Sequence, residues 1–358
     1  MLSIEEIASK AESFTMLDEL ESFKYTLFRN LTDFHVQKCL GYKRIIESFF
    51  KTYSSSTRIE ELPYIPIGLF KQMDLMSAPQ SAIVTTLNSS GTSGNTSRVY
   101  LDKVTAINQI KVLTNIFFET ISNKKMPLVV IDFGNDVIPT GNINARSAAV
   151  KGFSIFASEV HYVLNKNLDI QLDQFSKLAK KFGESEILFF GFTFVIWNNL
   201  LKELESNNIK FAFTKGTLIH GGGWKNLESY KVSNEIFNNC AKDRLGVMRV
   251  LNYYGMAEQT GSIYFECSAS FLHTTHYGHV IIRNYHDFSV AKIGEEGIVQ
   301  LLSVVPTSYP GHSILTEDIG VILGDDGCKC GKSGRYFKIL GRLPEAEIRG
   351  CGDAYGNK

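Results

Sequence analysis

Ile83-Val84-Thr85-Thr86-Leu87 leads directly into Asn88-Ser89-Ser90-Gly91-Thr92-Ser93-Gly94-Asn95-Thr96-Ser97. Apolar and β-branched residues make the first part a strand signal, and the second part holds only glycine, hydroxyls and Asn. Glycines let backbone N–H groups converge on an anion, and the hydroxyls add donors. The stretch therefore reads as a phosphate-cradling loop after a strand. The competing reading is a flexible polar loop. A Walker loop is excluded, because no Gly-Lys-Ser/Thr closes the segment. That triplet does occur at Gly331-Lys332-Ser333, but position 326 is Asp where the motif needs Gly.

Outward from this loop the pattern is α/β. Residues 103 to about 121 are expected as helix. Leu128-Val129-Val130-Ile131-Asp132 and Ile187-Leu188-Phe189-Phe190 read as buried strands, the second followed by a helix through Leu200 and Leu204. Phe211-Ala212-Phe213 is expected to begin another strand that ends at Gly221-Gly222-Gly223. A helix across 232–241 precedes a strand over 250–254. Strands alternating with helices imply a mostly parallel sheet. After about residue 260 the helices stop, and 280–282, 298–302 and 319–322 read as an antiparallel sheet or distorted barrel. Residues 1–55 read as helical, with Leu20, Phe23, Leu27, Leu31 and Phe34 as the apolar stripe. The expected organisation is an N-terminal helical segment (1–80), a main domain (81–341) and a short tail (342–358).

Composition narrows the class. A chain of 358 residues suggests roughly two domains at about 150 residues each. Lys+Arg and Asp+Glu are both 37, and no basic run exceeds two residues, which argues against a nucleic-acid partner. The longest apolar run, 187–197, is too short for a membrane span of about 20 residues. The N-terminal MLSIEEIASK has acids where an export signal needs bases, so a cytoplasmic protein is expected.

Further motifs sit at strand ends, where sheets of this type place ligands. Gly221-Gly222-Gly223 would let a flat group approach the backbone. Tyr254 in Asn252-Tyr253-Tyr254-Gly255-Met256-Ala257-Glu258 offers an aromatic face, and Glu258 a carboxylate suited to Mg²⁺ beside phosphates. Asp318, in Thr316-Glu317-Asp318, would accept from ribose hydroxyls, and Arg342, after Gly341, would donate to ribose or phosphate. Singly, each of these also reads as an ordinary turn or surface residue. Cys328-x-Cys330 on a glycine-rich knuckle, with Cys267 and His273 upstream, forms a candidate Cys₃His zinc site, with His276 and His279 as competing ligands and buried free thiols as the alternative.

Taken in order, the glycine–hydroxyl loop, HGGGWK, YYGMAEQTGSIYFEC, SYPGHSILTED, GCKCG and GR followed by AEIRGC resemble the adenylate-forming superfamily. Within it the chain is most similar to the acyl-protein synthetases of bacterial luminescence, the LuxE type, with phenylacetate–CoA ligases more distant. The likeness runs over about residues 60–355. It implies an adenylate-forming large domain whose C-terminal lid is largely missing, because common members continue well past the GR motif and this chain ends 16 residues beyond Arg342. It assigns Ser89, Ser90, Gly91, Thr92, Ser93, Gly94 and Thr96 to the triphosphate, Gly221, Gly222, Gly223 and Tyr254 to adenine, Glu258 to Mg²⁺, and Asp318 and Arg342 to the ribose. Two positions depart from the pattern: Arg98 is the nearest base after the loop where common members carry Lys, and Ala257 stands where Thr is usual.

Cys351 lies between Gly350 and Gly352, after Arg349. It is nine positions past Arg342, a reach of roughly 30 Å when extended. In the resembled family a near-terminal Cys accepts the acyl group; the bland alternative is a passive tail thiol. The implied activity uses ATP and Mg²⁺ to convert a carboxylic acid, by resemblance a long-chain fatty acid, to acyl-AMP. The acyl group then passes to Cys351 as a thioester and on to a partner acyl reductase. The alternatives are an acyl- or aryl-CoA ligase and a catalytically silent nucleotide-binding subunit.

Overall fold

A computed structural model describes residues 2–88, 96–134, 142–224 and 232–344. In chain order its strands are β1 (Ile65–Pro66), β2 (Ile83–Asn88), β3 (Arg98–Asp102), β4 (Met126–Phe133), β5 (Asn142–Asn144), β6 (Ala157–Leu164), β7 (Ile187–Phe192), β8 (Gly216–Gly221), β9 (Arg249–Gly255), β10 (Ile263–Phe265), β11 (Leu272–His273), β12 (Gly278–Arg283), β13 (Glu296–Ser303), β14 (Ser313–Gly324) and β15 (Tyr336–Arg342). The described residues form two compact units, one of 2–88, 96–116 and 255–344, the other of 117–134, 142–224 and 232–254.

The first unit joins the N-terminal helices to the late strands. Helix α1 (Ile4–Ser13) opens with a capping box. Ser3 Oγ accepts the Glu6 N–H at 3.2 Å, and the Glu6 carboxylate accepts the Ser3 N–H at 2.8 Å. Helix α2 (Leu17–Lys38) buries Lys24, Phe28, Leu31, Thr32 and His35; Leu31 is buried as expected, while Lys24, Phe28 and His35 lie one position beyond the expected Phe23, Leu27 and Phe34. The displacement is physical, because each polar member of the buried stripe has a partner. Lys24 Nζ donates to the Thr275 and Gly278 carbonyls (3.1 and 3.0 Å), Thr32 meets His312, and His35 Nε2 donates to Pro306 O (3.1 Å). These bonds fasten α2 to chain more than 240 residues away. The late strands form the expected antiparallel sheet, in the order β11-β15-β14-β13-β12, with β1 parallel to β14. Its core with the helices includes Tyr42, Ile46, Phe70, Leu101, Tyr309 and Ile314. The β2–β3 hairpin pairs Asn88 with Arg98 at the base of the glycine–hydroxyl loop.

The second unit carries the parallel sheet, with β6, β4, β7, β8 and β9 adjacent in that order and every pair parallel. Its central strand β7 is buried along its whole length, as expected of a strand covered on both faces. A π-helical turn over Ile196–Leu201 follows it and buries Trp197 and Leu200. Phe211–Phe213 does not begin the next strand. The Phe211 and Phe213 N–H groups donate to Arg244 O and Leu245 O (2.8 and 3.0 Å), carbonyls that the end of helix Asn234–Leu245 leaves without intrahelical partners. The segment caps that helix, and β8 starts at Gly216.

Candidate active site

In the second unit, Gly221 closes β8 and pairs in register with Tyr253 of β9. A Cβ at Gly221 would lie 2.6 Å from the Tyr253 ring, so only glycine fits there. Gly222 and Gly223 have φ of 85° and 62°, a left-handed backbone that favours glycine. A Cβ on Gly222 would meet Phe192 at 2.9 Å, whereas one on Gly223 would meet none of the described residues within 4 Å. Among the described residues, nothing crowds Gly223 as Tyr253 and Phe192 crowd the other two glycines. Beneath them Thr193 Oγ1 donates to Gly221 O (3.0 Å) and contacts His220 Nδ1 (2.9 Å), and burial holds His220 far down, to a pKa of about 3. Tyr254 follows Tyr253 on β9, so its side chain projects to the opposite face of the strand.

In the first unit, the turn 256–262 is held from several sides. Tyr309 Oη donates to the Glu258 carbonyl and accepts the Thr260 N–H, both at 3.1 Å. Gln259 Nε2 donates to Leu301 O at 2.7 Å and to Gly311 O at 3.3 Å. Ser303 Oγ donates to Thr260 O at 3.0 Å. Gly261 has a φ of 81°, and a Cβ there would lie 2.4 Å from Val305. Glu258, at the head of this turn, is 4% exposed. Burial pushes the Tyr309 phenol far up, so it stays protonated as the donor this clamp needs.

Asp318 and Arg342 are cross-strand partners on β14 and β15. Arg342 Nε is 3.3 Å from Asp318 Oδ1, and Nη2 donates to Glu317 Oε2 at 2.9 Å. Asp318 N–H is itself held by Thr316 Oγ1 at 3.0 Å. The guanidinium thus spans two adjacent carboxylates and stays one-third exposed. Glu317, Gln259 and Tyr309 were not singled out as site residues from sequence; their one signal is membership of the TED, MAEQT and SYPGHS phrases.

The structure gathers the four expected soft ligands. The Cys267, His273, Cys328 and Cys330 donor atoms all lie within 4.8 Å of one another. Cys267 and Cys328 Sγ are 3.9 Å apart, and Cys330 Sγ is 3.3 Å from His273 Nε2. His276 and His279 are not in this cluster; His279 Nε2 meets Arg335 Nη1 at 3.0 Å. Arg98, the base after the loop, is engaged by Asp74 through Nε at 2.8 Å, and Tyr100 donates to the same carboxylate oxygen. Thr96 lies two positions before the start of β3, with Ser97 between. Ser89, Ser90, Gly91, Thr92, Ser93, Gly94 and Cys351 lie outside the described residues.

The fold is that of adenylate-forming ligases. It matches 2-hydroxyisobutyryl-CoA ligase in the postadenylation state with 2-HIB-AMP at a TM-score of 0.68, over 92% of this chain and 69% of that one, with 12% identity. The same ligase in the thioesterification state, with 2-HIB-AMP and CoA, matches at 0.67, over 92% and 70%, with 11% identity. The acyl-protein synthetase, LuxE, family profile matches residues 5–358, and the chain belongs to that family. The long-chain-fatty-acid–luciferin-component ligase of Aliivibrio fischeri is 23% identical over 273 residues, 74% of this chain and 70% of that protein. The chain is accordingly a ligase that activates acyl groups. Among the described residues, no helix is long and apolar enough to cross a membrane.

Proposed function

We propose that the chain activates a long-chain fatty acid with ATP and then carries the acyl group on Cys351. A carboxylate oxygen attacks the α-phosphorus, the bond to the β-phosphate oxygen breaks, and pyrophosphate leaves. The Cys351 thiolate then attacks the acyl-AMP carbonyl carbon, forming a thioester and releasing AMP. The acyl group passes from there to a partner acyl reductase. The observation that carries this reading is the family match along the whole chain, together with the fatty-acid substrate in the name of the Aliivibrio relative.

The residue roles follow the motifs. Ser89 to Gly94 and Thr96 would donate to the triphosphate, Gly221, Gly222, Gly223 and Tyr254 would flank adenine, and Asp318 and Arg342 would hold the ribose hydroxyls. Glu258 suits Mg²⁺. It is an oxygen donor on a turn fixed by Tyr309, Gln259 and Ser303, and Mg²⁺ in nucleotide sites takes one or two carboxylates with the phosphates. Mg²⁺ bound there would offset the charge that builds on the phosphates. Glu258 and the glycine–hydroxyl loop would act before the reaction as well, orienting the nucleotide so that stabilisation requires no reorganisation.

The test is carboxylate-dependent ATP–pyrophosphate exchange, followed by covalent labelling of the protein with radioactive fatty acid and ATP. Exchange and a hydroxylamine-labile label are expected. No exchange with any carboxylate would leave a silent nucleotide-binding subunit. Exchange without label, with CoA speeding product release, would replace this reading by a CoA ligase.

A further inference from the structure

We propose that Cys267, His273, Cys328 and Cys330 hold one Zn²⁺ that locks the register of the β14–β15 hairpin, and with it the Asp318–Arg342 pair. The part concerning the nucleotide rests on the function proposed above; the metal site does not.

The four donor atoms lie within 4.8 Å of one another, and two of their separations are near those of a filled tetrahedron. With Zn–S of about 2.3 Å and Zn–N of about 2.0–2.1 Å, tetrahedral angles place two sulfurs about 3.8 Å apart and a sulfur about 3.6 Å from a nitrogen. The observed Sγ–Sγ and Sγ–Nε2 separations are 3.9 and 3.3 Å. A disulfide needs about 2.05 Å between sulfurs, so the Cys267–Cys328 contact is not one. Three thiolates and an imidazole are soft and borderline donors, the set that structural zinc takes and Mg²⁺ does not.

The local backbone is built around the thiols. Gly327 and Gly331 flank the Cys328–Cys330 knuckle with φ of 79° and 82°. The Gly331 N–H donates to Cys328 O at 2.9 Å, and the Lys332 N–H is directed at Cys330 Sγ at 3.4 Å. On the other side, Cys267 N–H donates to Phe271 O at 2.8 Å, turning the chain so that His273 follows on β11.

The placement gives the metal its task. Cys328 and Cys330 lie in the connection between β14 and β15, while His273 is on β11, which pairs with the far edge of β15 through Leu272–Phe337 and His273–Tyr336, the Thr274 N–H donating to Arg335 O at 3.0 Å just beyond. The β14–β15 ladder has register shifts at Ile319/Gly320 and Ile322/Gly324, and both irregularities must be kept for Arg342 to stand opposite Asp318. A slip of one residue would move Arg342 by about 3.4 Å and turn it to the other face, away from Asp318. A metal that ties the hairpin connection to the strand beside β15 removes that freedom. From Tyr336 to Arg342 the strand runs roughly 20 Å, so the metal acts on the pair through the strand and touches no nucleotide.

The full chain, purified without a histidine tag, should hold about one zinc. Co²⁺ exchanged into it should show the visible bands of tetrahedral cobalt with thiolate-to-cobalt charge transfer in the near ultraviolet. Cys330→Ser should lose most of the metal, whereas His273→Cys, a Cys₄ set, should keep it. Metal-free wild-type protein, or a Cys267–Cys328 disulfide found by mass spectrometry, would overturn the site. Removing the metal with a chelator should speed amide hydrogen exchange in β15 while β12 and β13 stay protected. Unchanged exchange in β15, or loss of protection everywhere at once, would overturn the register role while leaving the metal site standing. If the nucleotide reading also holds, the metal-free protein should need roughly tenfold more ATP for half-maximal pyrophosphate exchange, about 1.4 kcal/mol.

Discussion

Arg342 on β15 stands opposite Asp318 on β14, its Nε 3.3 Å from Asp318 Oδ1 and its Nη2 donating to Glu317 Oε2 at 2.9 Å. Two neighbouring acids thus share one guanidinium. In the proposed nucleotide role the acids divide the work, with Asp318 accepting from ribose and Glu317 holding Arg342. Asp318→Asn should raise the KM for ATP in pyrophosphate exchange about tenfold, the cost of one charge-assisted hydrogen bond. Glu317→Gln should raise it far less. Equal effects would remove the division of labour. Arg342→Lys should behave like Asp318→Asn, because a point charge cannot reproduce the planar fork.

Glu258 is expected to carry the metal-dependent part of adenylation. Glu258→Gln keeps the shape and removes the charge, and exchange should fall by at least about 10²-fold, the scale of one lost electrostatic stabiliser. Wild-type exchange in this variant would take Glu258 out of the site.

Tyr309 is a positioning residue for the same turn. Tyr309→Phe leaves the Glu258 carbonyl without its donor and the Thr260 N–H without its acceptor in a buried site. A loss of about 1–3 kcal/mol in denaturant unfolding is expected. Exchange in the folded variant should show a raised Mg²⁺ requirement. An unchanged Mg²⁺ titration would limit Tyr309 to a structural part.

Cys351→Ser separates acyl transfer from adenylation. The variant should keep carboxylate-dependent exchange and lose the hydroxylamine-labile label, because a serine hydroxyl supplies almost no anion at neutral pH. Full labelling of Cys351→Ser would place the acceptor elsewhere.

Acid should destabilise the fold through buried neutral histidines. Burial lowers His35 and His220 from 6.5 to about 3. His35 Nε2 donates to Pro306 O and its Nδ1 meets Ser77 Oγ, while its ring stacks on His312 with centroids 4.8 Å apart. These histidines bind a proton in the unfolded chain before they do in the folded one. Their contribution is therefore complete above pH 6.5 and is lost as pH falls from 6.5 toward 3. Each should contribute a slope of up to about 1.4 kcal/mol per pH unit in that window. Denaturant melts between pH 7 and 5 check this, and His35→Gln should flatten the slope; an unaltered slope would discount His35.

Much of the architecture was legible because it rests on local signals. Ile187–Phe192 is apolar at every position but Gly191, so only a strand covered on both faces suits it, and β7 is that strand. The change from alternating helices and strands to strands alone after residue 260 likewise reads from hydrophobic period and turns. Phe211–Phe213 misled because its strand-like composition serves to cap the end of another helix, a long-range hydrogen-bond pairing with no local trace. The buried stripe of α2 shares Leu31 with the expected one and otherwise differs from it for a related reason. Lys24, Thr32 and His35 look like surface residues until the carbonyls and hydroxyl that satisfy them arrive from elsewhere in the chain.

The candidate site divides along the same line. By itself the sequence determined which chemical groups are available and in what order: the glycine–hydroxyl loop, the triple glycine, Glu258, Asp318, Arg342 and the four soft ligands. Those are properties of residue type and spacing. Only the tertiary structure decided that Cys267 and His273 meet Cys328 and Cys330, that Tyr309 and Gln259 hold the turn of Glu258, and that Arg342 is shared between Asp318 and Glu317. Each of those contacts joins residues 24 to 61 positions apart, and a β-ladder's register sets which side chains meet. Register depends on bulges, partner strands and the packing of both faces, which no stretch of sequence specifies alone.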